Sequence, residues 1–180
     1  MSFKILILAG MAGAGKTEFA DYCRSLNISV HNMGDAVRDR VRELGLELNG
    51  RNIARVASEE RLKYGSDIWA RRTARKTNGN CVIDGTRSEA EVSYFRRTYG
   101  RNAIIVAIYA SAPLRYERLR KRPREDTPLS LGEFEERDRR ELGWGLGNVI
   151  ALSDRIIGNE GSLPEFRERI KHLLSDLSMV

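Results

Sequence analysis

Residues 10–17 read Gly10-Met11-Ala12-Gly13-Ala14-Gly15-Lys16-Thr17 and follow the apolar run at 3–9. The octet has the form G-x-x-x-x-G-K-[ST], and its place between a strand-like run and a helical one is what gives the pattern structural meaning. Gly10, Gly13 and Gly15 allow backbone conformations closed to residues with a Cβ, so successive N–H groups turn inward onto phosphate oxygens. The helix that follows, expected over 16–26, starts with N–H groups that lack carbonyl partners and with the positive end of its dipole. A lysine there opposes the dipole by about 0.3–1 kcal/mol, so stability alone does not recommend Lys16. A bound polyanion reverses that sign. The alternative is a glycine-rich turn that merely joins strand to helix, with Lys16 solvated. On the phosphate reading, Gly10, Ala12, Gly13, Ala14, Gly15, Lys16, Thr17 and Glu18 form the donor site for ATP. Thr17 then offers its hydroxyl to the Mg2+ that accompanies a nucleoside triphosphate.

Working outward, 180 residues make one domain of ordinary size, long enough to bury a core without staples. No segment approaches about eighteen uninterrupted apolar residues, which excludes a membrane span. Residues 1–10 have signal-peptide character but run into the phosphate loop, and cleavage there would destroy it, so a cytoplasmic location is expected. Cys23 and Cys81 are isolated and read as small buried residues; His31 and His172 are too scattered for a metal site, and no zinc is expected. The net charge is +6, and all but six of the 31 cationic side chains are arginine, whose planar fork suits phosphate. From Arg115 to Arg124 six cations stand against Glu117 alone. This balance suits polyanions without choosing between a mononucleotide and RNA.

Apolar runs of four to eight residues alternate with helical-period segments, which argues for a parallel sheet covered on both faces. Strands are expected near 4–9, 28–32, 80–84, 103–109 and 155–158. Ser88-x-x-Glu91, Ser130-x-x-Glu133 and Ser162-x-x-Glu165 have capping-box form. The last opens a helix whose Leu163, Phe166, Ile170, Leu173, Leu174 and Leu177 should close the core. Two connections exceed a simple crossover. Residues 33–79 read as a helical insert, with helices near 35–44, 52–64 and 67–76, and 122–152 carries Pro123, Pro128, a charged helix and Gly143-Trp144-Gly145-Leu146-Gly147. Both leave the carboxyl edge of the sheet, where ligands bind in such folds, so they are placed to close over the loop at 10–17.

A second constellation stands at the end of the third strand, Val82-Ile83-Asp84-Gly85-Thr86-Arg87. Asp84 reads either as a partner of the metal ion or as a cap for the next helix. Arg87 reaches a second phosphate or is a solvated surface residue.

Asn32-Met33-Gly34-Asp35-Ala36-Val37-Arg38 resembles the serine-threonine-glycine-aspartate...arginine stretch of adenylate kinases, and Asp84-Gly85-Thr86-Arg87 resembles their aspartate-glycine-phenylalanine-proline-arginine segment. Over nearly its full length the chain looks still more like a mainly archaeal family of adenylate-kinase-related P-loop proteins, through NMGDAVRDRV, VIDGTRSEAEV and EFEERDRRELGWGLGNVIALSD. The resemblance implies a three-layer P-loop NTPase fold, with a five-stranded parallel sheet in the order 2-3-1-4-5. It also implies a nucleoside-monophosphate-binding insert at 33–79 and a short lid at 122–142. It implies that Arg38 and Arg87 hold the acceptor phosphate, with Met33, Gly34, Asp35, Gly85, Thr86 and Glu91 around the acceptor. Arg118 would pack on the ATP adenine, Arg122 would touch its phosphates, and Arg124, Asp126 and Arg137 resemble lid residues. Three positions depart from the adenylate kinase pattern: Glu91 replaces a glutamine, Met33 a threonine and Thr86 a proline. Glu91 then accepts from an exocyclic amine or is simply the capping partner of Ser88.

The expected activity is phosphoryl transfer from Mg-ATP to a nucleoside monophosphate, AMP-like, with Lys16, Arg87, Arg122 and Arg137 as the catalytic cations and Thr17 and Asp84 at the metal. Alternatives are a dephospho-CoA or other small-molecule kinase with Asp35 as base, and an ATPase or switch acting on RNA or ribosomal particles. Arg38 and Arg87 have no role where the acceptor is water, and no stacked aromatics flank the basic run, so small nucleotides are favoured over nucleic acid as partners. Trp144 either stacks on a base or anchors the lid helix.

Overall fold

The computed structural model describes residues 3–121 and 130–180. The strands are β1 (Ile5–Ala9), β2 (Ser29–Asn32), β3 (Cys81–Asp84), β4 (Ala103–Tyr109) and β5 (Arg155–Gly158). They form one sheet in the order β2-β3-β1-β4-β5, every neighbouring pair parallel, as the resemblance implies. Helix α1 (Lys16–Ser25) follows β1. Helices α2 (Met33–Glu43), α3 (Gly50–Tyr64) and α4 (Ile68–Ala74) lie between β2 and β3, and α5 (Glu89–Tyr99) follows β3. After β4 come α6 (Ala112–Arg120), α7 (Leu131–Gly143) and α8 (Leu146–Ala151), and α9 (Leu163–Asp176) closes the chain.

The apolar strands are continuous because both faces are covered. Ile5, Ile7, Cys81, Ile83 and Ile105 point into one core with Val41 of α2, Trp69 of α4, Phe95 of α5 and Leu146. Their neighbours Leu6, Leu8, Val82, Val106 and Ile108 point into the other, against Phe19 of α1 and Phe166, Ile170 and Leu174 of α9. The period-two alternation thus sorts one run of residues between two layers of helix. Cys23 of α1 and Cys81 of β3 lie in the two cores, and burial pushes their thiols up to about 12 and about 11. Leu163 differs from expectation: it is 48% exposed, because the first turn of α9 precedes the point at which the helix meets the sheet at Phe166.

The helix starts follow their side-chain caps. Ser88 and Ser162 close reciprocal boxes with Glu91 and Glu165, and Ser130 accepts from the Glu133 amide. Helix α2 begins at Met33, two residues before the expected start, because the Asn32 side chain accepts from the Gly34 amide at 2.7 Å. In-register pairing of Asn32 with Asp84, and of Leu8 with Asp84, brings the tips of β2 and β3 beside the loop leaving β1. Among the described residues no helix is long and apolar enough to cross a membrane.

Candidate active site

The loop between β1 and α1 is shaped from beneath. Gly15 precedes the first turn of α1 with φ +116°, and a Cβ there would collide with the Asn159 amide. At Gly13, φ +81°, a Cβ would come within 2.7 Å of the Arg115 carbonyl. Asn159, just past β5, donates to the Ala14 carbonyl at 2.8 Å and accepts from Arg118 at 3.3 Å. The other terminal nitrogen of Arg118 is buried without a partner among the described residues. Arg115 is 5% exposed and donates to the carbonyls of Ala12 and Ala110 at 3.1 and 3.2 Å. It also makes a two-pronged pair with Asp138 of α7 at 2.9 and 2.6 Å. The basic run read as a polyanion surface is therefore divided: Arg115 is internal, Arg118 reaches Asn159 beneath the phosphate loop, and Lys121 pairs with Glu117. Glu18 accepts from Arg167 at 2.7 Å, tying α1 to α9.

Lys16 folds back onto its own loop and donates to the carbonyls of Gly10 at 2.6 Å and Met11 at 3.1 Å. Burial pulls its pKa down, against the opposing pull of Asp84 and Glu141. Asp84 stands at the tip of β3, 6% exposed. One carboxylate oxygen accepts from Asn32 at 3.0 Å, and the other is buried with no partner among the described residues. Burial raises the Asp84 pKa, with Lys16 and Arg87 opposing. The helix after β3 is capped by Ser88, so Asp84 is not its cap. Among the described residues no three His, Cys, Asp or Glu cluster as a metal cage. A single free carboxylate oxygen beside a phosphate loop nonetheless fits Mg2+, which keeps several waters and takes one or two protein oxygens along with phosphate. Asp84 and Thr17 are the residues that would hold it, and its charge would offset that building on phosphate oxygens.

Asp84→Asn tests this separately from activity. A carboxyl whose folded pKa is raised favours the folded state at low pH and loses that benefit as pH rises above the unfolded value. The variant should therefore be at least as stable as wild type at neutral pH, by thermal melting. Its nucleotide affinity, measured by calorimetry, should respond less to added Mg2+ than that of wild type, since Thr17 alone remains. An unchanged Mg2+ response would remove Asp84 from the metal.

Arg87, just past β3, and Arg137, on α7, converge on the Glu141 carboxylate, and the charge of both works to lower the Lys16 pKa while Asp84 and Glu141 work to raise it. Glu141, which sequence reasoning missed, is 4% exposed, 3.5 Å from Arg137 and 4.0 Å from Arg87. Burial works to raise its pKa, yet Arg87, Lys16 and Arg137 outweigh it and hold the group low, hence ionised. Its spacing of four from Arg137 is a legible helical pair, but Glu135 and Arg139 share that spacing at the surface.

In the first turns of α2, Arg38 pairs with Asp35 at 3.0 Å, and both are exposed. Arg38 stands 3.2 Å from where a Cβ at Gly34 would lie, beside the Asn32 amide that contacts Asp84. The side chains expected around an acceptor base are closed instead. Met33 and Thr86 are buried and in contact, the hydroxyl donating to the sulfur at 3.7 Å. Glu91 has no exposed surface: one oxygen accepts from the amides of Arg87 and Ser88, the other from Arg61 at 3.1 Å. The capping reading of Glu91 is therefore the one this arrangement displays. Trp144 is half-buried, with Arg61 and Arg87 at 5.2 and 5.5 Å from its ring centre, joining α3, the β3 tip and the end of α7. Arg122, Arg124 and Asp126 lie outside the described residues.

A parallel sheet of this order, with a phosphate loop after β1 and an acidic tip on β3, defines a P-loop kinase-like domain. A sequence profile described as an AAA domain matches residues 6–141. The chain is 44% identical over 174 residues to a UPF0200 protein of Thermoplasma volcanium, covering 96% of this chain and 97% of that one. It is 43% identical over 174 residues to a UPF0200 protein of Thermoplasma acidophilum, covering 96% of each. The chain belongs to the UPF0200 family. Among solved structures it is similar in fold to shikimate kinase from Acinetobacter baumannii, with TM-score 0.63, 15% identity and 99% and 97% of the two chains covered. A gluconokinase from Sinorhizobium meliloti gives 0.59, 14%, and 99% and 97%. TT1252 from Thermus thermophilus gives 0.65, 21%, and 98% and 99%.

Proposed function

We propose that the protein transfers the γ-phosphoryl group of Mg-ATP to a nucleoside monophosphate, AMP-like. The observation that carries this reading is the convergence of Arg87 and Arg137, from two segments, on one buried carboxylate, at the sheet edge where Lys16 folds onto the phosphate loop and an Asp84 oxygen has no partner among the described residues. Phosphoryl transfer asks a protein chiefly to align two anions and offset the charge on the moving group, and clustered guanidinium and ammonium groups do both. Lys16 and the loop amides hold the donor phosphates, Arg118 lies at the donor base, and Arg38 and Arg87 receive the acceptor phosphate. Arg137, with Arg122 from the lid, excludes water that would otherwise hydrolyse ATP.

Incubation with Mg-ATP and a panel of nucleoside monophosphates should yield the matching diphosphate. ADP and free phosphate at one rate whatever the acceptor would refute transfer. Arg38→Ala should raise the acceptor KM about tenfold or more, the cost of a lost charged hydrogen bond, and leave ATP affinity unchanged. A loss of ATP affinity alone would reverse the division of the site.

One observation favours a second reading, a small-molecule kinase with a hydroxyl acceptor, the class of dephospho-CoA. Met33, Thr86 and Glu91 present no free polar group to a base, whereas Asp35 is exposed beside Arg38 and could take a hydroxyl proton. Dephospho-CoA and polyols in the same panel separate the two, and Asp35→Asn would stop turnover only in the second.

A further inference from the structure

We propose that Glu141 is a positioning residue, a stand-in anion that holds Arg87 and Arg137 together near Lys16 until a terminal phosphate displaces it. The inference deepens the phosphate-transfer reading and rests on it.

Arg87 and Arg137, brought together near Lys16, repel one another, and a carboxylate between them offsets that repulsion before a phosphate binds. Glu141 supplies such a charge from α7 itself, four residues after Arg137, where the helix places both side chains on one face. Its contacts are unlike those of a structural pair. Asp138, three residues earlier on α7, grips Arg115 with two short bonds of 2.9 and 2.6 Å. Glu141 stands 3.5 Å from Arg137 and 4.0 Å from Arg87, longer contacts shared between two guanidinium groups. One helix thus carries a fixed anchor and an exchangeable contact. A phosphate offers more charge and more acceptor oxygens than a carboxylate, in a geometry the arginine fork matches, so it can take both arginines from Glu141. Glu141 and a terminal phosphate cannot both occupy the centre, since like charges at that range repel. A triphosphate therefore has to turn the Glu141 side chain away while Asp138 keeps α7 anchored, whereas a diphosphate need not reach so far. Trp144, at the C-terminal cap of α7 and 5.5 Å from the Arg87 guanidinium, is placed to sense the exchange.

The test compares Mg-ADP with the Mg complex of a non-hydrolysable ATP analogue bearing a β,γ-imido bridge, by calorimetry, in wild type, Glu141→Gln and Glu141→Asp. In Glu141→Gln the preference for triphosphate over diphosphate should rise about tenfold, because the competing charge is gone. Glu141→Asp, which keeps the charge, should hold the wild-type ratio. A purely structural role would weaken both nucleotides together with the melting temperature, and that result, like an unchanged ratio, would overturn the proposal. Wild-type protein supplies an independent measurement should Glu141→Gln not fold. The analogue should change tryptophan fluorescence and ADP should not, and the change should vanish in Trp144→Phe. Equal signals from both nucleotides would also overturn it. Failure of the kinase reading shows elsewhere, as no phosphorylated acceptor, and leaves the binding ratio measurable.

Discussion

Lys16→Met should lower phosphoryl transfer about a thousandfold while the protein stays folded. An ammonium about 4 Å from a phosphate charge contributes roughly 4 kcal/mol at an effective dielectric near 20, and 1.4 kcal/mol is a factor of ten in rate. The fold gives Lys16 no comparable structural role. Burial pulls its pKa below the ordinary 10.5, so the folded state holds that proton less tightly than the unfolded chain does. The penalty is present below the folded pKa and disappears as pH rises through it toward 10.5. Removing the charge relieves that penalty, and the loss of two hydrogen bonds to the Gly10 and Met11 carbonyls offsets part of the gain. Unfolding in urea should place the variant within about 1 kcal/mol of wild type at pH 7. The comparison should shift in favour of wild type as pH rises, because wild type sheds its penalty and the variant has none to shed. A collapse of stability together with activity would make Lys16 a structural residue.

Arg115→Ala should have the opposite profile, a large loss of stability. Its removal leaves the Asp138 carboxylate, only 15% exposed, facing a void, and the Ala12 and Ala110 carbonyls without their donor. Breaking a buried pair from one side costs about 3–5 kcal/mol, against a total stability of about 5–15 kcal/mol for a domain. Nucleotide affinity should fall too, since Ala12 belongs to the phosphate loop. The double variant Arg115→Met with Asp138→Leu should recover much of the stability, because no uncompensated charge remains. Equal destabilisation in the single and double variants would mean that packing against Phe134, over whose ring Arg115 lies at 5.0 Å, outweighs the charge.

Arg115 and Lys16 mark the limits of legibility in this chain. The phosphate loop, the strand ends and the serine caps were readable because each is a local pattern: glycines at fixed offsets, a period of two, a hydroxyl three residues before a carboxylate. Arg115 was indistinguishable from its neighbours, since nothing local says that one arginine in a basic run turns inward to meet an aspartate 23 residues later. Glu141 was hidden for the same reason, as one of several i,i+4 pairs on a charged helix. Glu91 carried two readings because its spacing from Ser88 suited a cap and its place in the adenylate kinase resemblance suited a base contact. Burial and the Arg61 bond display the first.

What the chain determined by itself was the class of fold and the phosphate loop, because glycine spacing, the period of the strands and the serine caps are patterns among neighbours in sequence. The tertiary structure alone decided which charges are neutralised, which stay poised and which oxygen of Asp84 is left free. Those outcomes depend on distances between segments far apart along the chain, and Coulomb energy and desolvation respond to distance in space.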